Sequence, residues 1–410
     1  MQENELIPHL FRTEYSKIIA VLLKQFGIAY IETAEDIVSE TFLLAAETWG
    51  LKGLPAQPTA WLYKVSKNKA IDFLRRNRLF EKKIAPVLKL QETKMEEPSI
   101  DLSIANIRDS QLKMMFAICH PAISREAQIG LSLNLLCGFG VDEIADAFLT
   151  TRDVVYKRLS RAKEKLRLER VAIELPPQSA ISERLDTVLT TLYLLFSEGY
   201  YSGSQNKTLR KDLCLEAMRL TLMLIDNEST NTPPVNALLS LMCFHSSRFE
   251  ARISEHGEMV LYEDQDENLW NTELISKGRY YLSRASQGKK LTKYHLEAAI
   301  AYWHTHKEDT REKWESILQL YNRLLQIEYS PIAALNRTYA LSKANTKEEA
   351  ICEAEKLVLE GNQLYHSLLA NLYESSDKAR AMEHLKKSHE LARSIADKKQ
   401  IAAQIKSLKG

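Results

Sequence analysis

Apolar residues return every three to four positions along most of this 410-residue chain. That period marks amphipathic helices, each burying one face. Gly (13) and Pro (11) are scarce, so long stretches carry no turn signal. The expected class is all-α. The first helices are expected over about residues 4–26 and 33–49. Thr33 would cap the second, with Glu35 and Asp36 in a first turn where the helix dipole favours acids. Its apolar stripe reads Ile37, Val38, Thr41, Leu44, Ala45 and Thr48. "GLKGLPAQPT" breaks the pattern, and a third helix, "WLYKVSKNKAIDFLRRNR", is expected from about Pro58 to Arg78. Residues 81–104 are charged and weakly periodic and read as a linker. Helices return over 105–170 with a break at "CGFG", and "ELPPQSA" punctuates the chain before about ten further helical segments.

Two late segments, "PIAALNRTYALSKANTKEEAICEAEKL" and "YHSLLANLYESSDKARAMEHLKKSHEL", set Tyr339 and Tyr373 34 residues apart. That is the tetratricopeptide period, and the C-terminal part reads as a degenerate helical-repeat array.

Charge is segregated in a way the net value of +1 conceals. Residues 31–50 hold five acids and no Lys or Arg; residues 61–83 hold eight bases against two acids, and 152–170 eight against three. The last of these closes the sharpest motif, "VDEIADAFLTTRDVVYKRLSRAKEKLR". Val141, Ile144, Ala145 and Phe148 form one apolar face, "LTT" is a turn, and Thr151 can cap the next helix. In that helix Val155, Leu159, Ala162 and Leu166 face inward, leaving Arg152, Lys157, Arg158, Arg161, Lys163 and Lys165 outside. An apolar inner stripe with a cationic outer face suits a helix-turn-helix that binds DNA; a solvated helix in a bundle is the plainer reading.

No run of about 18 apolar residues is present, so no membrane span is expected. The opening "MQENELIPHLF" lacks the basic and apolar regions of a secretory leader. Five scattered cysteines suggest reduced thiols in a cytoplasmic chain and no zinc site. No metal, no cofactor and no catalytic residue is expected: there is no Gly-rich phosphate loop and no nucleophile–base arrangement. Cys119-His120 reads as buried packing at a helix start. "YEDQDE" reads as an acidic helix start, since it lacks the Gly and closing Glu of a calcium loop. "LFSEGYYSG" is either a helix end at Gly199 with packed aromatics or an interface.

"AEDIVSETF", then "WLYKVSKNKAIDFLRRNR", then "VDEIADAFLTTRDVVYKRLSRAKEKL" occur in an order and spacing that resemble bacterial RNA polymerase sigma factors of the extracytoplasmic-function type. "LYLLFSEGYYSG", "RKDLCLEAMRL", "GEMVLYEDQDENLWN" and "SPIAALNRTYAL" resemble the tetratricopeptide-like extension of one subgroup. The resemblance implies a region-two domain over 1–80, a linker over 81–104, a region-four helix-turn-helix domain over 105–172 and an extension over 180–410.

It also implies partners: core RNA polymerase, through its β′ clamp and β flap, and promoter DNA. Glu35, Asp36, Glu40 and Thr41 would dock on the clamp. Asn68 and Asp72 would lie near a flipped promoter base, and Lys64, Lys67, Arg75, Arg76 and Arg78 would face phosphates. Trp61 either packs the domain or joins that surface. Lys157 and Arg161 would read bases of the distal promoter element, with Arg152, Arg158 and Lys163 on phosphates. His120-Pro121 and Lys157 depart from the common family pattern. The extension would regulate the sigma domains or take a protein or peptide partner, with Phe196, Tyr200 and Tyr201 as candidate contacts. Two other readings remain: a helix-turn-helix regulator whose repeat domain senses a ligand or peptide, and a peptide-binding scaffold.

Overall fold

The structure, a computed structural model, describes residues 3–84, 100–148, 150–201, 207–252, 260–392 and 395–409. Among these, the regular structure is helical throughout. The chain packs as two compact units, Met1–Thr230 and Asn231–Gly410.

The first unit contains α1 (Glu3–Phe26), α2 (Ile31–Lys52), α3 (Pro58–Ile84), α4 (Ile104–Ile118), α5 (Arg125–Leu131), α6 (Val141–Ala147), α7 (Arg152–Leu168), α8 (Gln178–Tyr201) and α9 (Lys207–Ile225). Its central strut is α1, whose Ile18, Ile19, Leu22 and Leu23 are wholly buried. One side of α1 meets α2 and α3, and another meets α4. Polar bonds fix the second contact. Lys24 Nζ donates to Asn106 Oδ1 at 2.6 Å and lies 2.7 Å from Asp109 Oδ2, and Gln111 donates to Ser16 Oγ at 3.1 Å. The two expected sigma domains thus share α1 as a common wall.

Helix α2 starts at Ile31, so Thr33 is inside it and is not its cap. It ends at Gly53, whose φ of 80° suits a residue without a Cβ. Its buried face carries Ile31, Ala34, Ile37, Val38, Thr41, Phe42, Ala45 and Trp49. Leu44, placed on the inner stripe by periodicity, is 38% exposed, because the buried seam runs through Thr41, Phe42, Ala45 and Trp49 and leaves Leu44 at its edge. The expected linker over 81–104 falls mostly outside the described residues; α4 begins at Ile104 with Ser103 as its cap. Cys119 closes α4 instead of opening a helix, and burial pushes its thiol up to about 11.

The expected boundary at residue 180 is not where the packing divides. Helix α8 lies on α4 and α5, and α9 lies on α4 and α6. Arg184 donates to the Phe116 carbonyl at 2.5 Å, Thr191 to Gln128 Oε1 at 3.0 Å, and Arg219 to the Leu136 carbonyl at 3.0 Å. Main-chain acceptors at Phe116 and Leu136 are therefore satisfied by side chains beyond residue 180, which ties these helices to the first unit.

The second unit is a run of helices: α10 (Pro233–Ser247), α11 (Thr272–Ala285), α12 (Lys293–Trp303), α13 (Arg311–Ile327), α14 (Pro331–Ala344), α15 (Lys347–Glu355), α16 (Gln363–Tyr373), α17 (Lys378–Leu391) and α18 (Ile395–Lys409). Each packs on the next, as a stacked repeat array requires. Side-chain caps start several of them: Asn271, Thr310, Ser330, Thr346, Asn362 and Asp377. The two tyrosines that revealed the period reach back one element. The Tyr339 ring meets Trp314 of α13 at 5.5 Å, and Tyr373 donates to Glu355 of α15 at 2.7 Å. The "YEDQDE" stretch forms short 3-10 turns over Tyr262–Asp264 and Glu267–Leu269, ahead of the α-helix that starts at Thr272.

Candidate polymerase and nucleic-acid interfaces

The acids of α2 divide between two surroundings. Asp36 is exposed, and Glu40 is 61% exposed with Lys69 of α3 at 2.5 Å. These two are open to a partner. Thr41 is not: it is wholly buried, donates to the Ile37 carbonyl at 2.7 Å and accepts from Ser66 at 3.2 Å. It joins α2 to α3 and cannot touch a docking protein. Glu35 is also covered. Lys163 Nζ of α7 sits 2.6 Å from Glu35 Oε1 and 2.7 Å from Oε2, with side-chain exposures of only 12% and 18%. One turn away, Arg167 reaches both Glu32 oxygens at 2.7 Å. Burial pushes the Glu35 carboxyl up, against the downward pull of the Lys163 ammonium.

Helix α3 presents Lys64, Asn68, Asp72, Arg75 and Arg76 as exposed residues on one basic helix, with Lys67 half-buried. Tyr63, Lys64, Lys67, Ile100, Asp101 and Leu102 line an open recess of about 490 Å³. A recess beside cations is suited to a base taken out of its stack and the phosphates next to it. The Arg78 side chain lies outside the described residues. Trp61 sits edge-on to Trp49 at 5.4 Å, half-buried in the α2–α3 seam, so its ring packs the domain. Tyr63 donates to the buried Glu14 of α1 at 2.6 Å.

The segment expected to form a helix-turn-helix folds as α6, a turn and α7. Thr151 accepts from the Val154 amide at 3.4 Å, and Val155, Leu159, Ala162 and Leu166 are buried. Arg152, Lys157 and Arg161 are exposed, and Arg158 is half-buried. Arg152 lies 3.7 Å from Asp142 at the start of α6. Lys163, expected on a phosphate, instead faces Glu35, because position 163 lies on the side of α7 that meets α2. Two participants went unselected by pattern: Glu32 and Arg167. Their signal is paired spacing, since Glu32 and Glu35 are three apart on α2 while Lys163 and Arg167 are four apart on α7, one turn each.

Phe196 and Tyr200 are 3% and 2% exposed and stack at 5.7 Å inside α8. Cys214 of α9 approaches the Phe196 carbonyl at 3.7 Å. They hold the α8–α9 hairpin together, so they are core residues and not a docking face; helix α8 runs on through Gly199. The Tyr201 side chain is outside the described residues.

Comparison with known proteins finds matches to two family models and one long relative. The model of sigma-70 region 2 matches residues 10–80, the stretch from α1 into α3. A family of unknown function (DUF6596) matches residues 184–286. An uncharacterized protein of Rhizobium meliloti (strain 1021), R00370, is 32% identical over 354 residues, covering 85% of this chain and 83% of that protein. The chain belongs to one family with that protein, and its N-terminal part matches sigma-70 region 2, which supports a sigma-factor-like role in transcription initiation. Among solved structures, yeast Tom70 aligns over 99% of this chain and 84% of its own, at 13% identity and a TM-score of 0.36, too low to bear on the fold. No helix among the described residues is long and apolar enough to cross a membrane.

Proposed function

We propose that this chain is a sigma factor that binds core RNA polymerase and directs promoter-specific initiation, with its C-terminal helical part regulating that activity. Polymerase would perform the nucleotidyl transfer, and this chain would supply recognition and melting in the cytoplasm. The observation that carries the reading is the region-two module itself, in which an acidic helix with Asp36 and Glu40 exposed packs against a basic helix with an open recess at Lys64 and Lys67. Acids facing a basic partner orient docking and raise its rate. Cations beside the recess suit unpaired promoter strand. The exposed Arg152, Lys157 and Arg161 of α7 suit a second, duplex contact upstream. Reconstitution with core polymerase tests it: the full chain should yield a run-off transcript from a promoter selected out of a random library, and core polymerase alone should not.

A further inference from the structure

Two buried cations of the second unit share one tyrosine. Arg248, which ends α10, is 8% exposed, and Lys313, in the first turn of α13, is 2% exposed. The Arg248 guanidinium lies 5.2 Å and the Lys313 ammonium 5.1 Å from the centre of the Tyr262 ring. Neither is ion-paired to a carboxylate among the described residues. Lys313 donates instead to the Tyr262 hydroxyl at 3.0 Å and to the His306 carbonyl at 2.5 Å. The acids nearby are engaged elsewhere. Asp309 accepts from the Trp314 indole and from Lys343 at 3.1 Å; Glu263 accepts from Tyr339 at 3.1 Å and from Lys343 at 3.4 Å. Desolvation therefore lowers the Lys313 pKa, and Asp309 pulls it back only in part. Donors around the same ring are also unfilled. Arg248 Nε, Trp270 Nε1 and His304 Nδ1 are out of water and lack a hydrogen-bond partner. The first two can only donate, and His304 joins them when Nδ1 carries the proton. The Trp270 ring stacks on Tyr262 at 6.3 Å, and the His304 ring stands edge-on to it at 5.2 Å. Gln265 Oε1, three residues past Tyr262, is an unfilled acceptor.

We propose that the cluster around Tyr262 is a binding site for a dianionic oxyanion of the phosphate type. Water fills empty hydrogen bonds, but it does not neutralise two buried positive charges. The C-terminal end of α10 and the tyrosine face offset part of that charge, not two whole units. Lys313 is also poorly placed for its own helix, because the first turn of α13 is the positive end of the helix dipole and favours an anion. Two fixed cations match a dianion and leave a monocarboxylate short of one charge. The arginine fork and the indole N–H are rigid donors suited to tetrahedral oxygens. Tyr262 and His304 are half-buried, so the cluster has an edge at the surface. A bound anion would join the end of α10, the turn Tyr262–Asp264, the end of α12 and the start of α13, and would stiffen the early part of the repeat array. The site does not depend on the sigma-factor reading.

Titration calorimetry of the full chain in a chloride buffer of fixed ionic strength tests this, with inorganic phosphate as the probe. Phosphate should bind saturably with a Kd below about 1 mM. Sulfate, of the same shape and charge, should bind within about tenfold of it, and acetate at least about tenfold more weakly than either. Methyl phosphate separates the sources: tighter binding than phosphate marks the end of an ester, weaker binding marks the free anion, and either supports the site. Arg248→Met should abolish binding, and Arg248→Lys, which keeps the charge and loses the fork, should weaken it about tenfold. Melting curves separate a ligand site from plain packing. Without phosphate, Arg248→Met should melt within about 2 °C of wild type or higher, since an unpaired buried cation is gone. With 10 mM phosphate, roughly thirty times a Kd of about 0.3 mM, wild type should gain at least about 3 °C and the variant under a third of that. Lys313→Met should behave as Arg248→Met does. No saturable phosphate binding, unchanged binding by Arg248→Met, or an Arg248→Met chain that unfolds or melts several degrees lower in chloride would each overturn the proposal, the last by making the cation part of the packing.

Discussion

The Lys163 ammonium lies 2.6 Å from the Glu35 carboxylate, joining helices 128 positions apart in the chain. Both side chains are largely out of water, so neither charge tolerates loss of the other. Lys163→Met should therefore cost about 2–4 kcal/mol of unfolding free energy in urea, by leaving Glu35 buried and unpaired. Adding Glu35→Met should recover most of that loss, since an apolar pair of similar volume fits the same gap. A double variant as unstable as the sum of the singles would show that the pair does not act as a unit.

Helix α7 should divide its outer residues between reading and holding. Arg161→Ala should cost about 1–3 kcal/mol on the preferred distal element and relax the sequence preference there. Arg158→Ala should weaken binding to every sequence and flatten the salt slope by about one unit. Parallel behaviour of the two across a promoter library would refute the division.

Much of this was legible beforehand, and the reasons differ by residue. The inner stripe of α7, from Val155 to Leu166, follows from a helical period in a segment whose start is fixed by the Thr151 cap. Leu44 was misplaced because a spacing of three to four residues does not choose between Leu44 and Ala45, and the buried seam runs through Thr41, Phe42, Ala45 and Trp49. Thr41 and Trp61 sit in motifs that resemble a docking surface, yet their burial depends on Ser66 and Trp49, which only the α2–α3 packing brings close. Lys163 looked like any outward base. A helix period says which residues leave the local core; it does not say which distant carboxylate waits there.

The second unit should be acid-sensitive. His304 is half-buried beside Tyr262 and Trp314, and desolvation, with Arg248 and Lys313 nearby, lowers its pKa from 6.5 to about 3. The unfolded chain then binds a proton that the folded one refuses, so this contribution is complete above the ordinary value of 6.5 and is lost as pH falls toward 3. His304→Phe keeps a ring in place and removes the proton. Between pH 6.5 and 5, wild type should lose about 1–2 kcal/mol more than the variant in urea melts. Equal losses would show that His304 does not govern the acid limb.

Where the chain is cut should matter in a way that the packing specifies. Ending it after Thr230 keeps α8 and α9 on α4, α5 and α6, and should give a cooperatively folding product. Ending it after Pro177 removes Arg184, Thr191 and Arg219, leaving the Phe116 and Leu136 carbonyls and their apolar surroundings without cover. That product should aggregate or melt at least about 5 °C lower. Equal melting of the two would mean that α8 and α9 do not belong to the first unit.

The central claim is that the exposed acids of α2 dock this chain on core RNA polymerase. Affinity capture of purified core polymerase by the tagged full chain, with Asp36→Arg/Glu40→Arg beside it, tests that most directly. Both acids lie off the buried face, so the double reversal should leave the melting curve within about 1 kcal/mol of wild type. Wild type should retain the polymerase, and the reversed chain, equally folded, should lose it at least tenfold. Equal retention by both chains, or none by the wild type, would contradict the account.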